Sequence, residues 1–313
     1  LSERIRGVRA ENIEKAIEHY RLALEVRTHN DFPVEWAETQ NGLGDALSER
    51  IRGVRAENIE KAIEHYRLAL EVRTHNDFPA EWAETQNGLG DALSERIRGI
   101  RAENIEKAIE HCQLAQLVRT REDFPAHWAK TQINLGFAYT DRIRGEKAEN
   151  IEQAIELFSQ AEQVYTRDDF PTDWAMVQLD LASAYSDRIQ GNKAESIEQS
   201  IEYCRLALQV YTREDFPTDW ARTQINLGFA YIDRIRGDKA ENIERAIEYC
   251  QQALQVYTHE DFPADWAMTQ LDLGAAYIDR IRCDKAENIE QAIEHYKQAL
   301  RVYTREGFPA DWA

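Results

Sequence analysis

Residues that can pack recur along this chain at intervals of three and four, the spacing of one stripe on an α-helix. In "FPTDWAMVQLDLASAYSDRI" the stripe is Trp174, Gln178, Leu181 and Tyr185. Just before it, Ile151, Ala154, Ile155, Phe158, Ala161 and Val164 form a second one. The punctuation agrees. Pro171 suits a first helical turn, where a missing N–H is no loss, and Asp173 sets negative charge near the positive end of the helix dipole. Gly at 53, 99, 145, 191 and 237 supplies the left-handed stop. Asn12, Asn58, Asn104, Asn150, Ser196, Asn242 and Asn288 read as N-caps, since the one swap keeps a side-chain oxygen. The pattern predicts six complete helices A near 34–50, 80–96, 126–142, 172–188, 218–234 and 264–280. Seven helices B open at the Asn or Ser caps, and no strand is expected.

The pattern repeats at a fixed step. All seven tryptophans, Trp36, Trp82, Trp128, Trp174, Trp220, Trp266 and Trp312, stand 46 residues apart. "FP" follows Asp in six copies, and Gly307 takes the Asp place in the last. A single helical hairpin cannot cover its own apolar stripe, so neighbours must stack into a solenoid. The expectation is one array over residues 1–313, about six and a half repeats, truncated within helix A at both ends.

Leu135, Gly136 and Tyr139, then Ala154, Phe158 and Ala161, then Pro171 resemble the small-and-large packing signature of tetratricopeptide repeats. The resemblance covers every repeat and implies an all-α, right-handed superhelix of helix-turn-helix units. Departures are present. The unit is 46 residues rather than about 34. The extra length lies in the loop "RGEKAEN" and at the helix ends. The family's tryptophan place is held by Gln40, Gln86, Gln132, Gln178, Gln224 and Gln270, and this chain's own Trp lies one turn earlier. The unit is similar to longer repeats of bacterial multidomain proteins, beside caspase-like (CHAT) peptidases or signalling NTPases. A 46-residue period also fits HEAT-type arrays, but the Leu-Gly-x-x-Tyr and Ala-x-x-x-Phe pairing favours the tetratricopeptide reading.

Charge narrows the partners. A net charge of −19 and a pI of about 4.9 argue against a nucleic-acid backbone and an anionic membrane surface. With four cysteines and no disulfide framework, a reducing cytoplasm is expected. Neither a metal nor a cofactor is expected. Cys112, Cys204 and Cys250 occupy a slot filled elsewhere by Tyr20, Tyr66, Phe158 and Tyr296, which marks a core position. His19, His65, His111 and His295 share a place that Leu157 also fills, so no site there needs imidazole. The acidic–Arg dipeptides from Glu49-Arg50 to Asp279-Arg280 read as an ion-pair ladder, and the Gln40 series as architecture. With no phosphate cradle and no activated nucleophile, the chain does not read as an enzyme.

Positions that vary between repeats are free to serve partners. In the frame of unit two they are 38, 41, 45 and 48, again a helical stripe. Units two and three carry Glu38, Asn41, Asp45, Ser48 and Glu84, Asn87, Asp91, Ser94. Unit four has Lys130, Ile133, Phe137, Thr140, and unit five Met176, Leu179, Ser183, Ser186. Units six and seven follow with Arg222, Ile225, Phe229, Ile232 and Met268, Leu271, Ala275, Ile278. Four matches six and five matches seven, a 92-residue double repeat. Duplication can create such a period, since residues 1–33 and 47–79 are identical, but it does not explain apolar residues on a face expected to meet solvent. By resemblance, this stripe matches the residues lining the concave groove of tetratricopeptide superhelices, where extended peptides or partner segments bind. The expectation is a protein-interaction scaffold. Internal packing of the stripe, self-association into a structural array, and a sensor arm of a CHAT-type peptidase or signalling NTPase stay open.

Overall fold

A computed structural model describes residues 2–303, with side chains from Arg9 onward. Among the described residues it holds thirteen α-helices and no strand. Helices A are α2 (Pro33–Ser48), α4 (Pro79–Ser94), α6 (Pro125–Thr140), α8 (Pro171–Asp187), α10 (Pro217–Ile232) and α12 (Pro263–Asp279). Helices B are α3 (Arg55–Ala69), α5 (Arg101–Gln116), α7 (Lys147–Glu162), α9 (Lys193–Ala207), α11 (Lys239–Ala253) and α13 (Lys285–Ala299), with α1 (Ser2–Val26) ahead of them. Each helix A starts on its proline, as the missing N–H allows. The last copy of the Trp series, Trp312, lies outside the described residues, as does Gly307.

The chain divides into two compact units, the first ending at Tyr165 and the second starting at Thr166. Unit 1 stacks the hairpins of α2 to α7 behind α1, and unit 2 stacks those of α8 to α13. Within each unit every helix A packs on its own helix B, on the preceding helix B where there is one, and on the next helix A. Each is therefore an α-solenoid built from consecutive helical hairpins.

Glycines on helix A make room for side chains of helix B. A Cβ on Gly136 would come within 2.4 Å of the Phe158 ring, and one on Gly274 within 2.3 Å of Tyr296. Opposite the smaller Cys204 the glycine place is taken by Ala182, and both residues are sealed at 0% exposure. The three cysteines of this slot are core residues, as their exchange with Tyr and Phe predicts.

The turns are held from two sides. Gly53, Gly99, Gly145, Gly191 and Gly237 adopt φ between 79° and 86°, and Cys283 is forced to 69° in the same place. Helices α1, α3, α5, α9 and α11 each contribute a glutamate to the turn of the following repeat. Arg50 Nε and Nη2 donate to the two oxygens of Glu14 at 2.8 and 2.9 Å, and Arg96–Glu60, Arg142–Glu106, Arg234–Glu198 and Arg280–Glu244 repeat the fork. The expected ion-pair ladder is present, and its rungs join neighbouring repeats.

Two local expectations need correction. The Asn series does not cap helix B. Asn58 lies inside α3, which begins at Arg55, and its buried amide donates back to the carbonyl of Arg52 at 2.9 Å. Asn104, Asn150, Asn242 and Asn288 do the same for their own turns. Where a side chain caps helix B it is Asn192, Asp238 or Asp284, four residues earlier. The second correction is α1. Residues 1–33 and 47–79 are identical, yet the first copy is one helix through Val26 while the second breaks after Ser48.

Candidate protein-binding surface

The variable stripe of helix A splits in two once the helices are packed. Its first and third positions face outward. Glu38, Glu84, Lys130, Arg222 and Met268 are exposed at the first, with Met176 half-buried. Asp45, Phe137 and Phe229 are exposed at the third, with Asp91 half-buried. The second position is turned inward. Ile133 is 3% and Leu179 2% exposed, while Ile225 and Leu271 are partly buried beside Trp220 or Trp266. The reason is visible where the residue is polar: buried Asn41 Oδ1 accepts from Thr85 Oγ1 at 2.7 Å, which joins α2 to α4. Neighbouring helices A cover this flank, so Ile133 and Leu179 are packing residues. The fourth position is half-buried except at Ile278, which is 52% exposed.

In unit 1 the outward positions are mostly charged. Asp45 accepts from Tyr66 Oη at 2.8 Å and from Asn41 Nδ2 at 3.0 Å. Desolvation raises the carboxyls of Asp45 and Asp91 above the usual aspartate range, and the Lys130 ammonium pulls both back. Arg73 anchors the first position from below, donating to Glu84 at 3.1 Å and to Thr85 Oγ1 at 2.9 Å. Phe137 rests an edge on Phe158, with ring centroids 5.4 Å apart, and leaves 43% of itself exposed.

In unit 2 the surface is apolar with one cation. Phe229, Met268 and Ile278 are 46%, 44% and 52% exposed, and Arg222 pairs with Asp219 at 3.4 Å. Two groups beneath it are not visible as special in the stripe pattern. Asp180 and Asp272 are buried, and an oxygen of each has no hydrogen-bond partner. Burial pushes both carboxyls up to about 7, with the Arg222 guanidinium drawing Asp180 partly back. The signal lies in the sequence: one helix A position reads Gly42, Gly88, Asn134, Asp180, Asn226, Asp272. A place that accepts glycine twice, and is flanked by Leu179 and Leu181 in unit five, is no ordinary solvated carboxylate.

The remaining candidate residues are structural. His65, His111 and His295 each place Nδ1 2.6 Å from Oε1 of Gln40, Gln86 and Gln270, joining helix B to its own helix A. Where Leu157 or Tyr249 replaces the histidine, the buried Oε1 of Gln132 or Gln224 is left without a partner. The half-buried tryptophans sit at the start of helix A under a His edge or an Arg, as in His29–Trp36 and Arg213 over Trp220. No group of His, Cys, Asp and Glu among the described residues could hold a metal ion. No described helix is long and apolar enough to cross a membrane.

The match to a family of helical repeats agrees with this architecture. The family model of the Sel1 repeat matches residues 5–25, 37–71, 83–115, 129–163, 221–255 and 267–301. It passes over unit five, where Ala182 and Ser200 stand in places held elsewhere by glycine and alanine. No curated protein matches the chain. Among solved structures, the crystal structure of BtubC (BKLC) from P. vanneervenii is similar at 17% identity and a TM-score of 0.45, over 96% of this chain and 91% of that one. Sel1 repeats are tetratricopeptide-like, and proteins built from them generally mediate protein–protein interaction and are typically non-catalytic scaffolds. With well over half of its residues matched, in a register that follows its own helical hairpins, the chain belongs to the Sel1 repeat family.

Proposed function

We propose that this array is a non-catalytic recognition scaffold, and that the outward positions of helices A take an extended or helical segment of a protein partner. The observation that carries the reading is the exposure of Phe229, Met268 and Ile278 on the same stripe that is acidic in α2 and α4. Large apolar side chains left open on helices whose other flanks are packed mark an interaction site. In unit 2 the anchors lie on successive helices A, Phe229 on α10 and Met268 and Ile278 on α12, and Arg222 on α10 offers a cation for an acidic group of the partner. In unit 1 the acidic positions Glu38, Glu84, Asp45 and Asp91 favour basic groups, with Lys130 and Phe137 at the end of that stripe.

A displayed-peptide selection tests this. Peptides selected on the wild-type chain are remeasured on a Phe229→Ser, Met268→Ser double variant whose helicity and melting are checked by circular dichroism. Binders with apolar anchors that lose about tenfold or more in affinity on the folded variant support the reading, since truncated anchors cost ~2 kcal/mol or more. Peptides that bind the folded variant unchanged would overturn it. Unfolding of the variant would place these side chains in the core, against the reading.

A further inference from the structure

Arg27, Arg73 and Arg119 occupy the same place just beyond the end of helix B, one repeat apart. The first two are satisfied from within the chain. Arg27 donates to Thr39 Oγ1 at 3.0 Å and lies 3.9 Å from Glu38, while Arg73 reaches Glu84, Thr85 and the carbonyl of Glu81. Arg119 is not. In its repeat the glutamate is replaced by Lys130, whose ammonium repels a guanidinium, while Thr131 keeps the place of Thr85 but spends its hydroxyl on the His127 carbonyl at 2.9 Å. Arg119 is only 6% exposed and makes no hydrogen bond or ion pair among the described residues.

This side chain lines a cavity of about 180 Å³ together with Val118, Phe124, Glu81, Glu84 and His127. That is the space of about six waters at about 30 Å³ each, enough for a carboxylate on a short carbon stem. Glu84 is bonded to Arg73 at 3.1 Å, and its charge also acts on Arg119 without a hydrogen bond between them. An arriving carboxylate would match the free planar fork with two parallel hydrogen bonds.

We infer that the cavity at Arg119 is a receptor for a carboxylate group, with Arg119 as the anchor and Val118 and Phe124 covering the stem. The inference rests on the interaction-surface reading in that Glu84 and Lys130, the outward residues of α4 and α6, stand beside the cavity and in the replaced position. A glutamate side chain of a partner segment and a free short dicarboxylate offer the same chemistry. Restoring the internal partner is the sharpest perturbation: Lys130→Glu recreates the arrangement of Arg73 and Glu84, and fills the site from within.

The test follows the Arg119 Nε–Hε signal in ¹⁵N spectra, assigned by its loss in Arg119→Lys. Three probes are titrated: N-acetylglutamate amide, N-acetylglutamine amide and glutarate. The expected result is a saturating shift with the glutamate probe, at least about tenfold weaker with glutamine, and lost in Lys130→Glu while the helices remain intact. Glutarate tighter than the blocked glutamate assigns the site to a free dicarboxylate, and equal or weaker binding assigns it to a partner's side chain. Both outcomes support the carboxylate receptor. No saturating shift, equal shifts with glutamine, or binding unchanged in a folded Lys130→Glu chain would overturn it. If Lys130→Glu does not fold, Arg119→Gln takes its place with affinity read by isothermal titration calorimetry, and a retained affinity there is equally fatal. The probe carries no apolar anchor, and Phe229 and Met268 lie in unit 2, so failure of this inference and failure of the interaction-surface reading are told apart by separate measurements.

Discussion

Replacing Asp180 with asparagine should make the chain more stable at pH 8 and leave it nearly unchanged at pH 4. Asp180 lies buried in α8 with one oxygen unpartnered, and its carboxyl is pushed from 3.8 up to about 7. The folded state therefore holds this proton more tightly than the unfolded state does. The contribution of the group is greatest below the unfolded value, falls as pH rises towards the folded one, and is flat above it. A separation of about three units at 1.36 kcal/mol each sets a ceiling of about 4 kcal/mol on the loss at pH 8. Relaxation and water entry reduce this, so a gain of about 1–3 kcal/mol for Asp180→Asn is the expected scale. Asparagine is native to the same place in units four and six, and Asn226 there donates to Ser183 Oγ at 3.0 Å. Equilibrium urea unfolding by circular dichroism at pH 5, 6, 7 and 8 reads the difference at each pH. Comparing variant with wild type cancels the acid sensitivity of the Glu–Arg forks, whose glutamates are held below their usual range by hydrogen bonds from arginine. A difference that does not grow between pH 5 and 8, or a variant less stable at pH 8, would refute the reasoning. Asp272→Asn should behave alike, since its carboxyl is raised to about the same value.

Three further outcomes follow from the packing. Gly136→Ala should lower stability by about 1–3 kcal/mol in urea melts, because its Cβ would meet the Phe158 ring at 2.4 Å. Cys283→Gly should raise the protection of α12 and α13 amides in hydrogen exchange by about 1 kcal/mol, as φ of 69° suits glycine. Arg234→Met should cost about 1 kcal/mol, less in 1 M salt, since its fork to Glu198 is about a quarter exposed; an effect insensitive to salt would make the role one of packing alone.

How far the sequence could be read depended on which contacts repeat. Helix A bounds were legible to within about two residues, because proline and glycine act on their own backbone. The role of Asn58 was not, since a side chain that bonds backwards to Arg52 O looks in sequence like one that caps forwards. The break in the second copy was also illegible: residues 1–33 and 47–79 are identical, so no local signal separates the continuous helix Ser2–Val26 from the turn that follows Ser48. In the stripe, period three-and-four told which residues share a flank, but not how much of that flank the next helix A covers. Phe137 and Ile133 were equivalent on that evidence and differ by 43% against 3% exposure. The exchange of Arg27, Arg73 and Arg119 for Tyr165, Tyr211 and Tyr257 is plain in the sequence. Its meaning is not, until the Tyr211 hydroxyl is seen donating to Thr172 O at 3.2 Å and Arg119 to nothing.

The central claim is that a partner covers the outward face of helices A, and the chain carries its own reporters for it. It has two methionines, Met176 and Met268, both at the first position of the stripe, and Met268 is 44% exposed. The direct measurement is the rate of Met268 oxidation by dilute peroxide, read by mass spectrometry on proteolytic fragments, with and without a saturating selected peptide. A ligand seated on this face should slow Met268 oxidation by about tenfold, as a buried interface core excludes solvent. An unchanged Met268 rate in a fully saturated complex would contradict the account, because the partner would then be bound elsewhere.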